Sequence, residues 1–170
     1  LSEELTPPGA TLVEETSFER VSLFLFELPE KVVLWNMLQA LPSARVEGPK
    51  ASIQLRQVDG GPRNCVLVRL GKEPSKLRFT MPGAGTLLVR AGNTVEAARA
   101  KHGGTVNVSV SLENGESAEV DIPRRDYSLH EMRFALDREA VGAELLVTLA
   151  TSDERKREVC LDGFVLDGEG

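Results

Sequence analysis

The stretch GTVNVSVSLENGESAEVDI (residues 104–122) decides the fold class. Val106, Val108, Val110 and Leu112 alternate with Asn107, Ser109 and Ser111, the period of two that places every second side chain of a strand on one face. Ala118, Val120 and Ile122 repeat the pattern after Glu113-Asn114-Gly115-Glu116. Parity fixes how the two runs pair, because a slip of one residue turns every side chain to the other face. A two-residue Asn-Gly turn would set Val110 opposite Glu119. A three-residue loop, Glu113-Asn114-Gly115 with Gly115 as the left-handed bulge residue, sets Val110 opposite Ala118, Val108 opposite Val120 and Val106 opposite Ile122. The second register is expected, since it alone gives one continuous apolar face.

The same punctuation extends in both directions. Residues 51–58 (ASIQLRQV), 64–70 (NCVLVRL), 76–80 and 86–90 read as strands, with a turn at Asp59-Gly60-Gly61-Pro62. Strands arriving about every ten residues between Gly- and Pro-bearing turns indicate an all-β, antiparallel jelly-roll β-sandwich rather than βαβ units. The sandwich is assigned to residues 43–166. Within it, residues 91–103 form a long connection whose 94–101 segment fits either two turns of helix or a surface loop.

Residues 1–42 read as an N-terminal extension, partly helical, that packs on the sandwich or on a partner. Thr16-Ser17-Phe18-Glu19 fits a capping box, and Phe18, Val21, Leu25 and Leu28 recur at helical spacing. Residues 21–28 (VSLFLFEL) also fit a strand buried on both faces; the helical reading is preferred. Pro29 and Glu30 suit the start of a second helix, with Leu34, Leu38 and Leu41 as its stripe, Trp35 and Met37 flanking it, and Pro42 as its stop. Covering an open edge or end of the sandwich is the expected role, with docking to another domain through residues 18–41 as the alternative. Residues 167–170 read as a linker or tail.

The chain has 170 residues and a formal net charge of -6, with its basic residues scattered, so it lacks the electrostatic footprint of a nucleic-acid binder. No apolar run reaches the length of a membrane span, since Glu27, Pro29, Glu30 and Lys31 interrupt the greasiest part. Arginine outnumbers lysine and isoleucine is scarce, a usage associated with GC-rich bacterial genomes. Cys65 and Cys160 both lie within strands and are the candidate disulfide, consistent with an extracytoplasmic location in the periplasm, at the cell surface or outside the cell. Were they further apart than a disulfide allows, both would be buried thiols.

The order of a Gly-Thr strand, an Asn-Gly hairpin, a connection from Leu136 through Gly142, the run Leu145-Leu146-Val147-Thr148-Leu149 and the last strand Val159-Cys160-Leu161-Asp162-Gly163-Phe164-Val165-Leu166 resembles galactose-binding-domain-like sandwiches over residues 49–166. The resemblance implies a jelly-roll fold and a non-catalytic module of a larger secreted or envelope enzyme that holds carbohydrate. A fainter likeness is to sandwich segments set before sulfatase-type catalytic domains of bacterial envelope proteins. Fold likeness alone assigns no function.

Enzyme motifs are missing from the sequence: there is no Gly-x-Ser-x-Gly elbow, phosphate loop, paired-histidine zinc helix or Cys-x-Pro-x-Arg. Pro82-Gly83-Ala84-Gly85-Thr86 reads as a tight turn before a strand. His102-Gly103-Gly104 reads as a lead into the strand after it. His102 and His130 stand on different segments, so no metal site is assigned, and no cofactor is implied. The tightest polar cluster is Arg124-Arg125-Asp126-Tyr127, two guanidiniums and an amphipathic ring after Pro123, suited to carboxylate, sulfate or hydroxyl-rich ligands; a surface ion pair with Tyr127 on the sandwich rim is the alternative. Three function classes follow: an accessory carbohydrate-binding module, an interaction domain packed on a parent enzyme or assembly partner, and a cryptic enzyme. The first two fit best.

Overall fold

The computed structural model describes residues 11–18, 21–27 and 32–167. The chain divides into two compact units, Leu1–Val32 and Val33–Gly170.

In the first unit, β1 (Thr11–Phe18) and β2 (Val21–Glu27) form an antiparallel hairpin, with Thr16 opposite Leu23 and Phe18 opposite Val21. The helix preferred over this stretch is therefore replaced by strands. Phe18 and Val21 at helical spacing are equally cross-strand neighbours in a tight hairpin, and the β-branched and aromatic residues of 21–27 favour the extended form. Pro29 and Glu30 lie outside the described residues.

The second unit is an all-β sandwich. One sheet has the order β10-β9-β12-β7-β4, with β4 Arg45–Glu47, β7 Ser75–Thr80, β9 Val106–Leu112, β10 Ser117–Ile122 and β12 Glu144–Thr151. The other has the order β11-β8-β13-β6-β5, with β5 Ala51–Val58, β6 Gly61–Arg69, β8 Gly85–Asn93, β11 His130–Leu136 and β13 Glu158–Leu166. All pairs are antiparallel. β9 and β10 pair Val110 with Ala118, Val108 with Val120 and Val106 with Ile122, and Gly115 closes the turn at φ 94°. That backbone conformation is costly for a residue with a Cβ, which is why the three-residue loop ends on glycine.

The alternating residues meet between the sheets. Val106, Val108 and Val110 of β9 and Leu145, Val147 and Leu149 of β12 are buried in one core with Leu87 and Val89 of β8 and Leu161 and Val165 of β13. Each such side chain removed from water contributes about 1.5–3 kcal/mol.

The predicted second helix is shorter than its stripe. Val33–Asn36 is strand β3, paired with the end of β13, and only Met37–Ala40 is α-helical, capped by the Asn36 side chain, which accepts from Leu38 N at 2.8 Å. A 3-10 turn, Leu41–Ser43, contains Pro42. Met37 is fully buried, Leu38 and Leu41 pack on the core, and Trp35 meets Phe79 edge to face with ring centroids 5.6 Å apart. Residues 33–41 thus belong to the sandwich itself.

β5 and β6 form a hairpin that leaves β13 beyond Val66 and turns over the outer face of its sheet. Its covered face carries Val58, which packs with Cys65, Cys160 and Leu129. Ile53 and Leu55, the apolar residues that mark β5 as a strand, face solvent instead, 49% and 61% exposed. Cys65 and Cys160 are joined in a disulfide with Cα atoms 5.5 Å apart, pinning the hairpin to β13. The bridge spans 95 residues of sequence. Replacing both cysteines by alanine is expected to lower stability by about 4–5 kcal/mol in the chain-entropy model, read by urea denaturation; an unchanged midpoint would show that the hairpin is held without the bridge.

Candidate functional site at one end of the sandwich

Strand direction gathers four connections at one end. β8 finishes at Asn93 opposite Val159, β11 starts at His130 opposite Ala91, β9 starts at Val106 opposite Ile122 and Thr151, and β6 ends at Arg69 opposite Glu158. Connections 70–74, 94–105, 123–129 and 152–157 therefore share that end. The 94–105 connection opens with the helix Val95–Arg99, whose N-cap Thr94 accepts from Ala97 N at 3.1 Å and whose Ala97 and Ala98 are buried. Of the two readings of 94–101, the helical one holds for one turn.

A buried guanidinium ties these connections together. Arg157 is 1% exposed and donates through Nη1 to Ala97 O at 3.1 Å and Arg124 O at 3.4 Å, and through Nη2 to Asn93 Oδ1. Asn93 Nδ2 in turn donates to Pro123 O at 2.9 Å and Asp126 O at 3.0 Å. Burial, followed by the neighbouring charge of Arg124, lowers the Arg157 pKa from its ordinary value. Its Nε has no acceptor among the described residues. Sequence reading passed over this residue because it closes the charged run Asp153-Glu154-Arg155-Lys156-Arg157, whose composition is that of a solvated loop.

The four residues singled out in the sequence divide into two pairs. Arg124 points inward: its Nη1 donates to Ala100 O at 3.0 Å and to Lys101 O, so its guanidinium caps the end of the short helix. Asp126 also serves the loop, accepting from Ser128 N at 2.8 Å through Oδ1, with its Oδ2 2.9 Å from His130 Nε2. The Ser128 amide is the main reason its pKa lies below the usual carboxylate value, with partial burial opposing and His130 assisting. Arg125 and Tyr127 are exposed, Tyr127 to 44%. Around them stand exposed Lys101, His102, Arg155 and Lys156, so this end is locally basic in an acidic chain. At the opposite end lies an open depression of about 420 Å³ lined by Leu112, Glu113, Asn114, Asp137, Val141 and Gly142.

No group of three or more His, Cys, Asp or Glu that could hold a metal occurs among the described residues, and none of their helices is long and apolar enough to cross a membrane. No family model and no curated protein matches the sequence. Among solved structures, the chain is similar to CBM51-2 with INT domains of Clostridium perfringens ZmpB, in complex with GlcNAc (TM-score 0.55, 12% identity, 89% of this chain and 36% of that one). It is likewise similar to the CBM51 of Clostridium perfringens GH95 in complex with methyl-galactose (TM-score 0.55, 10% identity, 77% of this chain and 100% of that one). An exo-beta-agarase structure also matches (TM-score 0.50, 11% identity, 81% of this chain and 25% of that one). The chain thus shares the β-sandwich fold of these structures, and it spans about a third of the length of the ZmpB structure.

Asp126 makes the loop pH-sensitive in a defined direction. Its folded pKa lies below the ordinary 3.8, so the unfolded chain takes up the proton first as pH falls and the stabilisation is full above the ordinary value. Asp126→Asn is therefore expected to be less stable than wild type at pH 7, with the difference shrinking as pH drops below 3.8 in thermal melts. A difference independent of pH would place the stabilisation elsewhere.

Proposed function

We propose that the chain is a non-catalytic accessory module that binds carbohydrate weakly at the loop end carrying Arg124, Arg125, Asp126 and Tyr127. The observation that carries this reading is the division within that loop: Arg124 and Asp126 are committed to holding the backbone, and the side chains between and after them, Arg125 and Tyr127, are presented to solvent. Tyr127 offers a ring face and a hydroxyl to a sugar, and Arg125 a planar fork of donors for hydroxyl, carboxylate or sulfate oxygens. The fold likeness to modules solved with GlcNAc and methyl-galactose supports the same reading. No cofactor or metal enters it, and the Cys65–Cys160 bridge suits an extracytoplasmic, bacterial enzyme of which this would be one part.

A shallow, open site of this kind binds with a dissociation constant near the millimolar level, about 4 kcal/mol, and one charge-assisted hydrogen bond is worth roughly 1.5–3 kcal/mol of it. Titration with galactose- and GlcNAc-containing oligosaccharides is expected to show binding that Arg125→Ala and Tyr127→Ala each weaken beyond detection. Arg124→Ala is expected to act differently, lowering the melting temperature as the loop loses its attachment to the helix end. Binding that survives both Arg125→Ala and Tyr127→Ala would move the site elsewhere.

The second reading, an interaction domain packed on a neighbouring catalytic domain, is favoured by one observation. Ile53 and Leu55 stand exposed on edge strand β5, where an apolar face and unpaired backbone groups are adjacent. Of the apolar residues in 33–41, by contrast, Trp35, Met37, Leu38 and Leu41 are already used in the sandwich core, and only Val33 and Leu34 are exposed.

A further inference from the structure

The β5–β6 hairpin carries an electrostatic conflict that the carbohydrate reading leaves unused. In its register Arg56 stands directly opposite Arg63. Like charges directly opposite each other on one face of a sheet repel. Arg56 and Arg63 share the covered face of the hairpin, flanked by the Gln54–Cys65 and Val58–Gly61 pairs, and both are half-buried. Neither has a carboxylate partner among the described residues. Arg56 makes one long contact, Nη1 to its neighbour's Leu55 O at 3.4 Å. Elsewhere on the same sheet the pattern is different: Arg69 pairs with Glu158 at 2.8 Å, Arg133 with Glu131 at 2.6 Å, and Arg90 grips Asp162 through two bonds at 2.6 and 2.9 Å.

The floor beside the arginine pair is apolar and fixed. Cys65, two residues from Arg63, is bonded to Cys160, and both are buried with Val58 and Leu129. A side chain at Gly92 would meet Val58 Cγ1 at 2.9 Å and Ser128 O at 3.0 Å, so the hairpin tip closes onto the connection that carries Tyr127. Two half-buried arginines on one face of the hairpin, beside that buried apolar cluster, suit one oxyanion: the anion cancels their repulsion and accepts from planar forks of donors.

We infer that Arg56 and Arg63 form an oxyanion subsite, and that the anion it takes is a sulfate ester or uronate carboxylate on a saccharide whose neighbouring residues reach the Tyr127 end. The clamp itself stands on the hairpin geometry; assigning its anion to a saccharide rests on the proposed function.

The test uses the full chain, its Arg56→Gln/Arg63→Gln double variant and the Arg63→Gln single variant. In chloride, both variants should melt no lower than wild type, because the change removes a repulsion. Exchange of chloride for millimolar sulfate at constant ionic strength should raise the wild-type melting temperature more than that of either variant. A chondroitin sulfate oligosaccharide and polygalacturonate should bind the double variant about tenfold more weakly than wild type, while a neutral galactan binds both alike. Equal responses to sulfate in wild type and variants would overturn the clamp. A sulfate response with undiminished oligosaccharide binding in the double variant would overturn its assignment to a glycan. Failure of the Tyr127 site is read separately, from neutral galactan binding that survives Tyr127→Ala.

Discussion

The loop end of this sandwich depends on a buried cation that has no ion-pair partner among the described residues. Arg157 is held by two backbone carbonyls, from two different connections, and by the amide oxygen of Asn93 at the end of β8. Such a group cannot escape its cost by losing a proton, since a guanidinium stays protonated at any physiological pH even when burial lowers its pKa. Its stability must come from the acceptors around it. Those acceptors are thereby fixed in position, and Asn93 passes the constraint on to Pro123 and Asp126 through two further bonds. Gly103 shows how tight the arrangement is: it sits at φ 110°, and a Cβ there would come within 2.3 Å of Arg157 Cδ. One charge thus sets the backbone of connections that contain no regular structure beyond a single helical turn.

That constraint explains why the candidate site divides as it does. A loop whose backbone is anchored at Pro123, Arg124 and Asp126 can present the intervening and following side chains without ordering them afresh on binding, which reduces the entropy lost when a ligand arrives. Arg124 and Asp126 act as positioning residues, and their charges are largely satisfied within the protein. The residues able to touch a ligand are the ones the network leaves out.

Much of the fold was legible because the sandwich core imposes a period of two. The β9–β10 register follows from parity alone, and β5, β6, β7, β9, β10, β12 and β13 fall where alternation and turn residues put them, whereas β8 runs on to Asn93 into the expected connection and β11 was not read as a strand. The N-terminal hairpin was misread because Leu23–Phe26 is an unbroken apolar run; without alternation, length and propensity must decide, and the residues before it also satisfy a capping pattern. β5 was legible as a strand but not in its orientation. Alternation states that Ile53 and Leu55 share a face, whereas the disulfide, Val58 and Leu129 turn the opposite face inward. Within the site, Arg124 and Arg125 are indistinguishable in sequence. One caps a helix end and the other meets solvent, and only the placement of Ala100 and Lys101 separates them.

The two regions argued to meet a ligand differ in what holds them. The Arg125 and Tyr127 loop is fixed by hydrogen bonds to a buried charge, which persist whatever the redox state. The β5–β6 hairpin, once it leaves β13 beyond Val66, is fixed by a covalent bond and by a small cluster, Val58, Cys65, Cys160 and Leu129, that lies apart from the main core. A two-stranded hairpin gains little stability from its own pairing, and this one carries facing arginines that oppose it. The disulfide therefore has a local task besides its effect on the unfolded chain: it ties the hairpin to β13 where their strand pairing has ended. With that bond reduced, the hairpin would be left to its own pairing and to the small Val58–Leu129 cluster.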